Sequence, residues 1–110
     1  MSVYVKLIRS PRKSKKFRME FYIKEKEIYQ KILHQDFGAI KKDGTPYSDY
    51  TIHKDPKRKK NYIARHIKLP NFDKFYEPAG LSRYLLWNKP TLAESFKDYL
   101  KTFDLKPLPP

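Results

Sequence analysis

Residues 3–23 read VYVKLIRSPRKSKKFRMEFYI, and this stretch decides the fold. Val3 to Ile8 is apolar and rich in β-branched residues, which is typical of a strand. Phe17 to Ile23 alternates apolar with polar side chains, and this period of two predicts a strand with one buried face. Ser10, Pro11 and the cations that follow them suit a loop. The sequence therefore predicts a long β-hairpin with a basic tip.

The segment after the hairpin is ambiguous between strand and helix. Residues 24–27 can turn the chain, and residues 28–37 then place apolar side chains at Ile28, Ile32 and Leu33, a spacing that also fits a helix. A third antiparallel strand is favoured because the segment directly follows a hairpin and ends in a Phe-Gly pair.

The rest of the chain predicts helices. Residues 47–54 look irregular or weakly extended, but Asp55 and Pro56 form an N-cap and first-turn proline. They begin a basic amphipathic helix that runs to about residue 68, and residues 78–87 suit a second, short helix.

Thr91 and Glu94 form a T-x-x-E capping box that starts a third helix, with apolar residues at helical spacing as far as Phe103. The predicted fold class is α+β, with a small antiparallel sheet (the N-terminal hairpin and a possible third strand) followed by two or three helices. We expect one domain over residues 1–110, β-rich and basic over 1–40, helical over 55–103, and extended in the proline-rich tail 104–110.

Composition narrows the function classes. The 110 residues include 25 Lys and Arg, 12 Asp and Glu and no cysteine, so the net charge is +13 and disulfides and thiolate metal sites are excluded. No apolar run approaches the ~18–20 residues that a membrane span needs. The N-terminus lacks the apolar core of a signal peptide, so we expect a soluble domain made inside the cell.

The positive charge is concentrated in one part of the chain. Residues 1–70 hold 19 basic and 7 acidic side chains, whereas residues 71–110 hold 6 and 5. This excess predicts an anionic partner, and nucleic acid is the first candidate, although charge alone does not distinguish it from an acidic protein surface. The candidate anion-binding residues lie in the hairpin and the basic helix: Arg9, Arg12, Lys13, Lys15, Lys16, Arg18, Lys57, Arg58, Lys59, Lys60 and Arg65.

Aromatic residues suggest two further roles. Those interleaved with the cations could stack on bases, or could simply be strand and core residues: Tyr4, Phe17, Tyr22, Tyr47, Tyr50 and Tyr62. A domain this small cannot easily bury every aromatic of the C-terminal third, which together with the PLPP tail suggests docking on another protein. The candidate protein-interaction residues are Phe72, Phe75, Tyr76, Tyr84 and Trp87.

Nothing in the sequence predicts catalysis, a metal site or a cofactor. The three histidines, His34, His53 and His66, do not lie at the spacing of paired helical ligands, and the three glycines form no phosphate-binding loop. We expect no small-molecule substrate. A small metal-dependent nuclease that uses Asp49 or His53 is a remote alternative.

One string of motifs resembles a known family. Phe37-Gly38-Ala39, YSDYTIHKD at 47–55, YIARH at 62–66 and LLWNKP at 85–90 are similar to small basic proteins of large nucleocytoplasmic DNA viruses, over about residues 20–103. Relatives tend to be shorter at residues 39–46. The family has no assigned catalytic residues, so the resemblance implies a context more than a mechanism.

That context predicts a structural component of the virus particle, made in the host cytoplasm. We expect a minor capsid or cement protein whose partners are other capsid proteins and, on its basic side, possibly DNA or an anionic membrane surface. The alternative is a sequence-nonspecific nucleic-acid-binding protein associated with the genome.

Overall fold

The structure, a computed structural model, describes residues 2–110 as an α+β fold. Its strands are β1 (Val3–Arg9), β2 (Lys15–Glu25), β3 (Ile28–Ala39) and β4 (Lys106–Pro107). Its helices are α1 (Tyr50–His53), α2 (Pro56–His66), α3 (Pro78–Leu81), which continues into a π-helical turn (Ser82–Leu86), and α4 (Leu92–Thr102). Within residues 2–110, no helix is both long and apolar enough to span a membrane.

The sheet confirms the predicted hairpin and the third strand. The strand order is β3-β2-β1-β4; β1 and β3 both run antiparallel to β2, and Val5 is the register partner of Phe21. β3 lies at an edge, where Ile28 and Ile32 remain largely exposed and the register with β2 shifts after Phe21. The sequence of β3 is ambiguous because an edge strand with a bulge has no continuous buried face to impose a period of two.

One face of the sheet packs against the helices to form the core. Met19 of β2, Leu81 and Leu85 of the α3 region, and Tyr99 of α4 are fully buried. The Tyr99 hydroxyl donates a hydrogen bond of 2.7 Å to the Phe75 carbonyl, and burial raises the Tyr99 pKa far above its ordinary value. A buried tyrosine needs such a partner, so this bond fixes the aromatic loop before α3 onto α4.

The predicted helix starts are confirmed at α2 and α4. The Asp55 carboxylate accepts from the Lys57 N–H at 3.0 Å, and the Thr91 hydroxyl oxygen accepts from the Glu94 N–H at 3.1 Å. The prediction that residues 47–54 are irregular or weakly extended holds for 47–49 and 54 but was wrong for Tyr50–His53, which form α1. Asp49 caps the short helix α1, because its carboxylate accepts a hydrogen bond from the Thr51 N–H. The same carboxylate is held in place by Lys16, which is distant in sequence.

The tail is extended, as predicted, but it is also part of the sheet. Lys106 and Pro107 pair in parallel with Tyr4 and Val5 of β1, and the Leu108 N–H donates to the Val5 carbonyl at 2.8 Å. Leu105 is buried beside the strand. The tail is therefore anchored on β1 over residues 105–108, and the expected purely antiparallel sheet gains one parallel strand.

Gly80 occupies a position where only a hydrogen fits. A Cβ built on Gly80 would lie 1.8 Å from the carbonyl oxygen of Lys74. The loop between α2 and α3 thus crosses the helix at a distance that no side chain allows, and the clash is with backbone that cannot rotate away.

We expect Gly80→Ala to destabilise the protein by several kcal/mol, as overpacking in a core does, typically ~1–3 kcal/mol or more. Helix propensity alone would predict that this substitution stabilises the protein, because alanine in a helix is favoured over glycine by ~0.5–1 kcal/mol. Urea unfolding measures the difference. A stabilised variant would contradict the close approach.

Candidate anion-binding cleft

A cleft of about 480 Å³ lies between the hairpin tip and the segment that leads into α1. Its basic residues come from the hairpin, and its apolar residues come mainly from the opposite wall. The lining residues are Arg9, Ser10, Arg12, Lys13, Lys15, Lys16, Phe17, Ile40, Gly44, Pro46, Asp49, Thr51 and Ile52. The cleft therefore combines a cationic rim with an apolar wall opposite it.

Backbone hydrogen bonds hold the two walls of the cleft. In the tip, the Ser10 N–H donates to the Lys16 carbonyl at 3.1 Å, and the Ser10 hydroxyl oxygen accepts from the Arg12 N–H at 3.0 Å. The Ile40 N–H donates across to the Ser14 carbonyl at 3.0 Å. Ile40 also forms a β-bridge with Pro46, which closes the intervening turn. The rim cations thus project from a fixed backbone.

A buried ion pair joins the walls at the base of the cleft. The Lys16 ammonium lies 2.6 Å from the Asp49 carboxylate, and their side chains are only 9% and 3% exposed. Lys16 also donates to the Tyr47 carbonyl, and Asp49 accepts from both the backbone and the hydroxyl of Thr51. The prediction that Lys16 binds an external anion was therefore wrong, because its charge is already matched inside the domain.

Arg18 also has an internal partner. Its guanidinium donates two hydrogen bonds, of 2.9 and 3.2 Å, to the Asp36 carboxylate, which also accepts from the Ser10 hydroxyl at 2.7 Å. These bonds, with the one from Arg18 dominant, lower the Asp36 pKa. Arg18 was expected to contact an external anion, but a fork-to-carboxylate pair of this kind neutralises it.

The other four hairpin residues predicted to bind an anion have no ion-pair partner in the part of the chain that the structure describes. Within residues 2–110, no carboxylate lies within ion-pair distance of Arg9, Arg12, Lys13 or Lys15, and the first three are exposed. Like charges this close in sequence repel one another, so the folded domain maintains a concentrated positive potential at the cleft.

Helix α2 adds a second exposed set of cations, with one exception. Lys59 turns inward: its ammonium donates to the Asn88 carbonyl and lies 5.2 Å from the centre of the Tyr50 ring. Burial lowers the Lys59 pKa. Because its ammonium contacts the Asn88 carbonyl, Lys59 does not belong to the exposed set of cations in which the sequence placed it. The remaining predicted cations of the helix are exposed: Lys57, Arg58, Lys60 and Arg65.

Two of the five aromatic residues predicted to dock a partner, Trp87 and Phe72, instead pack against α2. Trp87 stacks on Tyr62 of α2, with ring centroids 4.0 Å apart and planes 3° apart. Phe72 is only 2% exposed and lies under the guanidinium of Arg83 at 4.7 Å. Phe72 is therefore not available to a partner, and the small domain accommodates more aromatics than its length suggested.

Of the other three predicted docking residues, two are half-buried. Phe75 and Tyr84 pack against the core cluster, and Tyr76, 37% exposed, is the most accessible of the five. The stacking of Tyr62 on Trp87 has no signal in the sequence, because Tyr62 lies on α2, Trp87 lies just after the π-helical turn, and neither spacing nor composition pairs them.

His53 lies where α1 meets the aromatic cluster. Its Nδ1 accepts from the Asp55 N–H at 3.0 Å, its ring centroid is 5.3 Å from that of Trp87, and its Nε2 is buried without a partner among residues 2–110. Burial, helped by the charge of Arg58, lowers the His53 pKa. The neutral ring therefore accepts at Nδ1, and protonation there would oppose the Asp55 N–H.

Within the part of the chain that the structure describes, no three His, Asp or Glu side chains come together in a group that could hold a metal ion. Asp49 and His53, the residues of the nuclease alternative, are occupied by the contacts given above.

The fold and the site define a small α+β domain with a basic cleft at one end of its hairpin. Residues 5–66 include every residue that lines the cleft and match the family described as "Family of unknown function (DUF5754)". The chain belongs to that family. No curated protein and no solved structure matches the chain.

Asp49→Ala should destabilise the protein by ~3–5 kcal/mol, because it leaves the Lys16 charge buried without its partner. Asp43→Ala is a matched control. Asp43 accepts from the backbone and hydroxyl of Thr45 just as Asp49 does from Thr51, but it is exposed and has no lysine partner. Chemical unfolding should show a small loss for the control. Equal losses would mean that the Asx turn, and not the ion pair, stabilises the wall.

Acid should destabilise the protein through His53. Because its folded-state pKa lies below the ordinary value of 6.5, the unfolded chain takes up the proton first as the pH falls from about 7 to about 5. The free energy of unfolding should therefore decrease over this range. His53→Asn retains an acceptor near the Nδ1 position and should flatten the dependence, whereas His34→Asn, on the exposed part of β3, should leave it unchanged.

Proposed function

We propose that the protein binds nucleic acid without sequence preference, through phosphate contacts at the cleft. The observation that supports this is a set of four cations, Arg9, Arg12, Lys13 and Lys15, which lie on a hydrogen-bonded hairpin and have no ion-pair partner among the described residues. Phosphates are the anions that such clusters bind, and each contact releases condensed counterions.

The internal ion pairs strengthen this interpretation. Lys16 and Arg18 are matched by Asp49 and Asp36, so the charge that remains on the hairpin is unopposed by nearby carboxylates. The exposed cations of α2 add a further region of positive potential and should favour association at long range.

The apolar wall of the cleft suits a nucleotide better than a simple inorganic anion. Ile40, Pro46 and Ile52 line the wall opposite the cations. A sugar or base can contact this wall while its phosphate meets the rim, an arrangement in which backbone contacts give affinity without reading sequence.

The proposal is tested with a double variant of the tip, Arg12→Ala/Lys13→Ala. Each phosphate contact contributes ~0.9 to the slope of log affinity against log salt on duplex DNA, so loss of both contacts should reduce that slope by ~1.8. Fluorescence anisotropy with a labelled duplex over about 50 to about 300 mM salt measures it.

Lys97→Ala/Lys101→Ala is the matched control, because it removes the same charge from exposed positions on α4. This control should retain the wild-type slope. If both double variants weaken binding equally, net charge and not the cleft is responsible. If the wild type binds neither this duplex nor a single strand of equal length at about 50 mM salt, the proposed function is wrong.

A second candidate is a structural role in a virus particle as a minor capsid or cement protein, and the edge of the sheet favours it. Ile28, Ile32 and Leu33 on the edge strand β3 are 69%, 53% and 37% exposed. An exposed apolar edge can accept a strand from another protein. Mass spectrometry of purified virus particles from the source of the gene tests this role, and absence of the protein would exclude it.

A further inference from the structure

The sheet has a second face that the helices do not cover. Along β1 and β2, residues alternate between the two faces, so Val5, Met19 and Phe21 enter the core while Tyr4 and Tyr22 point the other way. Neither tyrosine belongs to the core cluster or to the apolar residues packed against it. The outward-facing residues of these strands therefore form a regular surface, which we call the open face.

Three tyrosines lie together on the open face, one on each of three adjacent strands. Tyr4 of β1 is the register partner of Tyr22 of β2, and the Tyr4 ring centroid lies 5.0 Å from that of Tyr29 on β3, with the planes at 82°. All three are half-buried. The Tyr22 hydroxyl donates to Glu20 at 2.9 Å, which fixes the direction of the central ring.

The charges around these rings leave a positive balance. The two acidic residues of the face, Glu20 and Asp36, are each matched by a cation, Lys31 at 3.4 Å and Arg18 at 2.9 Å. Lys24 lies 5.5 Å from the centre of the Tyr29 ring and is itself paired with the exposed Glu27 at 3.5 Å. The positive balance therefore comes from Lys6, which is exposed without a carboxylate partner among residues 2–110. The face thus offers aromatic rings beside cations.

This combination is complementary to an unpaired nucleic acid strand. Base–aromatic stacking is tolerant of sequence because every base has a π-face, and nearby cations hold the backbone. The bases of a duplex are stacked inside it and cannot reach the rings. Tyr4 and Arg9 of the cleft lie about 17 Å apart along β1, at ~3.4 Å per residue. Because alternation places them on opposite faces, a single strand that contacts both passes around the end of the sheet at the hairpin tip.

From this juxtaposition we propose that the open face stacks unpaired bases on Tyr4, Tyr22 and Tyr29, so that the protein prefers single-stranded nucleic acid to duplex. The inference rests on the proposed function, because the cleft supplies phosphate contacts while the face adds contacts to the bases. Residues of the face therefore control the preference for bases, and residues of the cleft control the affinity for phosphate.

The test compares two probes with the same number of phosphates, an oligothymidine of about 20 nucleotides and an abasic strand of equal length. The wild type should bind oligothymidine at least tenfold more tightly than the abasic strand. Tyr22→Leu should weaken oligothymidine binding by about tenfold, the effect of one lost stacking contact, and should leave abasic binding unchanged. Tyr22→Phe retains the ring and should keep the wild-type affinity.

Tyr76→Leu, at an exposed tyrosine away from the sheet, is the matched control and should change neither affinity. Tyr29→Leu on the edge strand is a second variant, in case Tyr22→Leu fails to fold, and should also reduce binding to oligothymidine alone. Circular dichroism confirms the fold of each variant.

The outcomes separate this inference from the proposed function. If the wild type binds both strands equally and remains sensitive to Arg12→Ala/Lys13→Ala, the cleft binds phosphate and the stacking inference is wrong. Loss of binding to both strands in Tyr22→Leu would also contradict it, because the change would then act on phosphate contacts. Binding to neither strand by the wild type would overturn both proposals.

Discussion

The buried ion pair between Lys16 and Asp49 is the constraint on which the cleft depends. It connects β2 to the start of α1 across 33 residues of sequence, and both side chains are nearly inaccessible. Such a pair gains little over an apolar contact but is very costly to leave half-made, so it selects one arrangement of the two walls. Because Asp49 also caps α1, the same contact determines where His53 meets Trp87.

The sheet was the most predictable part of the fold, and the reason is physical. The alternation over Phe17–Ile23 reports a strand with one face in the core, and the proline and cations before it leave room only for a turn. Local capping residues likewise announced α2 and α4. The parallel tail strand and α1 were missed because their stabilising partners, Val5 and Lys16, are remote in sequence and no local pattern encodes them.

The candidate site shows a similar division. The sequence located the cationic hairpin, but composition counts charges without saying which of them fold the protein. Lys16, Arg18 and Lys59 have internal partners, whereas the side chains of Arg12 and Lys13 have no ion-pair partner within residues 2–110. Net charge therefore overestimates the number of cations that can bind an anion. Alanine substitutions chosen from the sequence alone would lower stability at some positions and affinity at others, and the two effects would be confused.

The string YSDYTIHKD invites a catalytic interpretation, since it places an aspartate, a serine and a histidine close together. Its geometry gives a different account. Asp49 caps α1, His53 accepts from the backbone N–H of Asp55, and Asp55 caps α2. Each polar side chain thus satisfies an amide that a helix terminus would otherwise leave without a partner, and two helices start within seven residues. The string therefore reverses the chain direction twice and positions α2 against Trp87. Its residues Asp49, Thr51 and Ile52 also line the cleft.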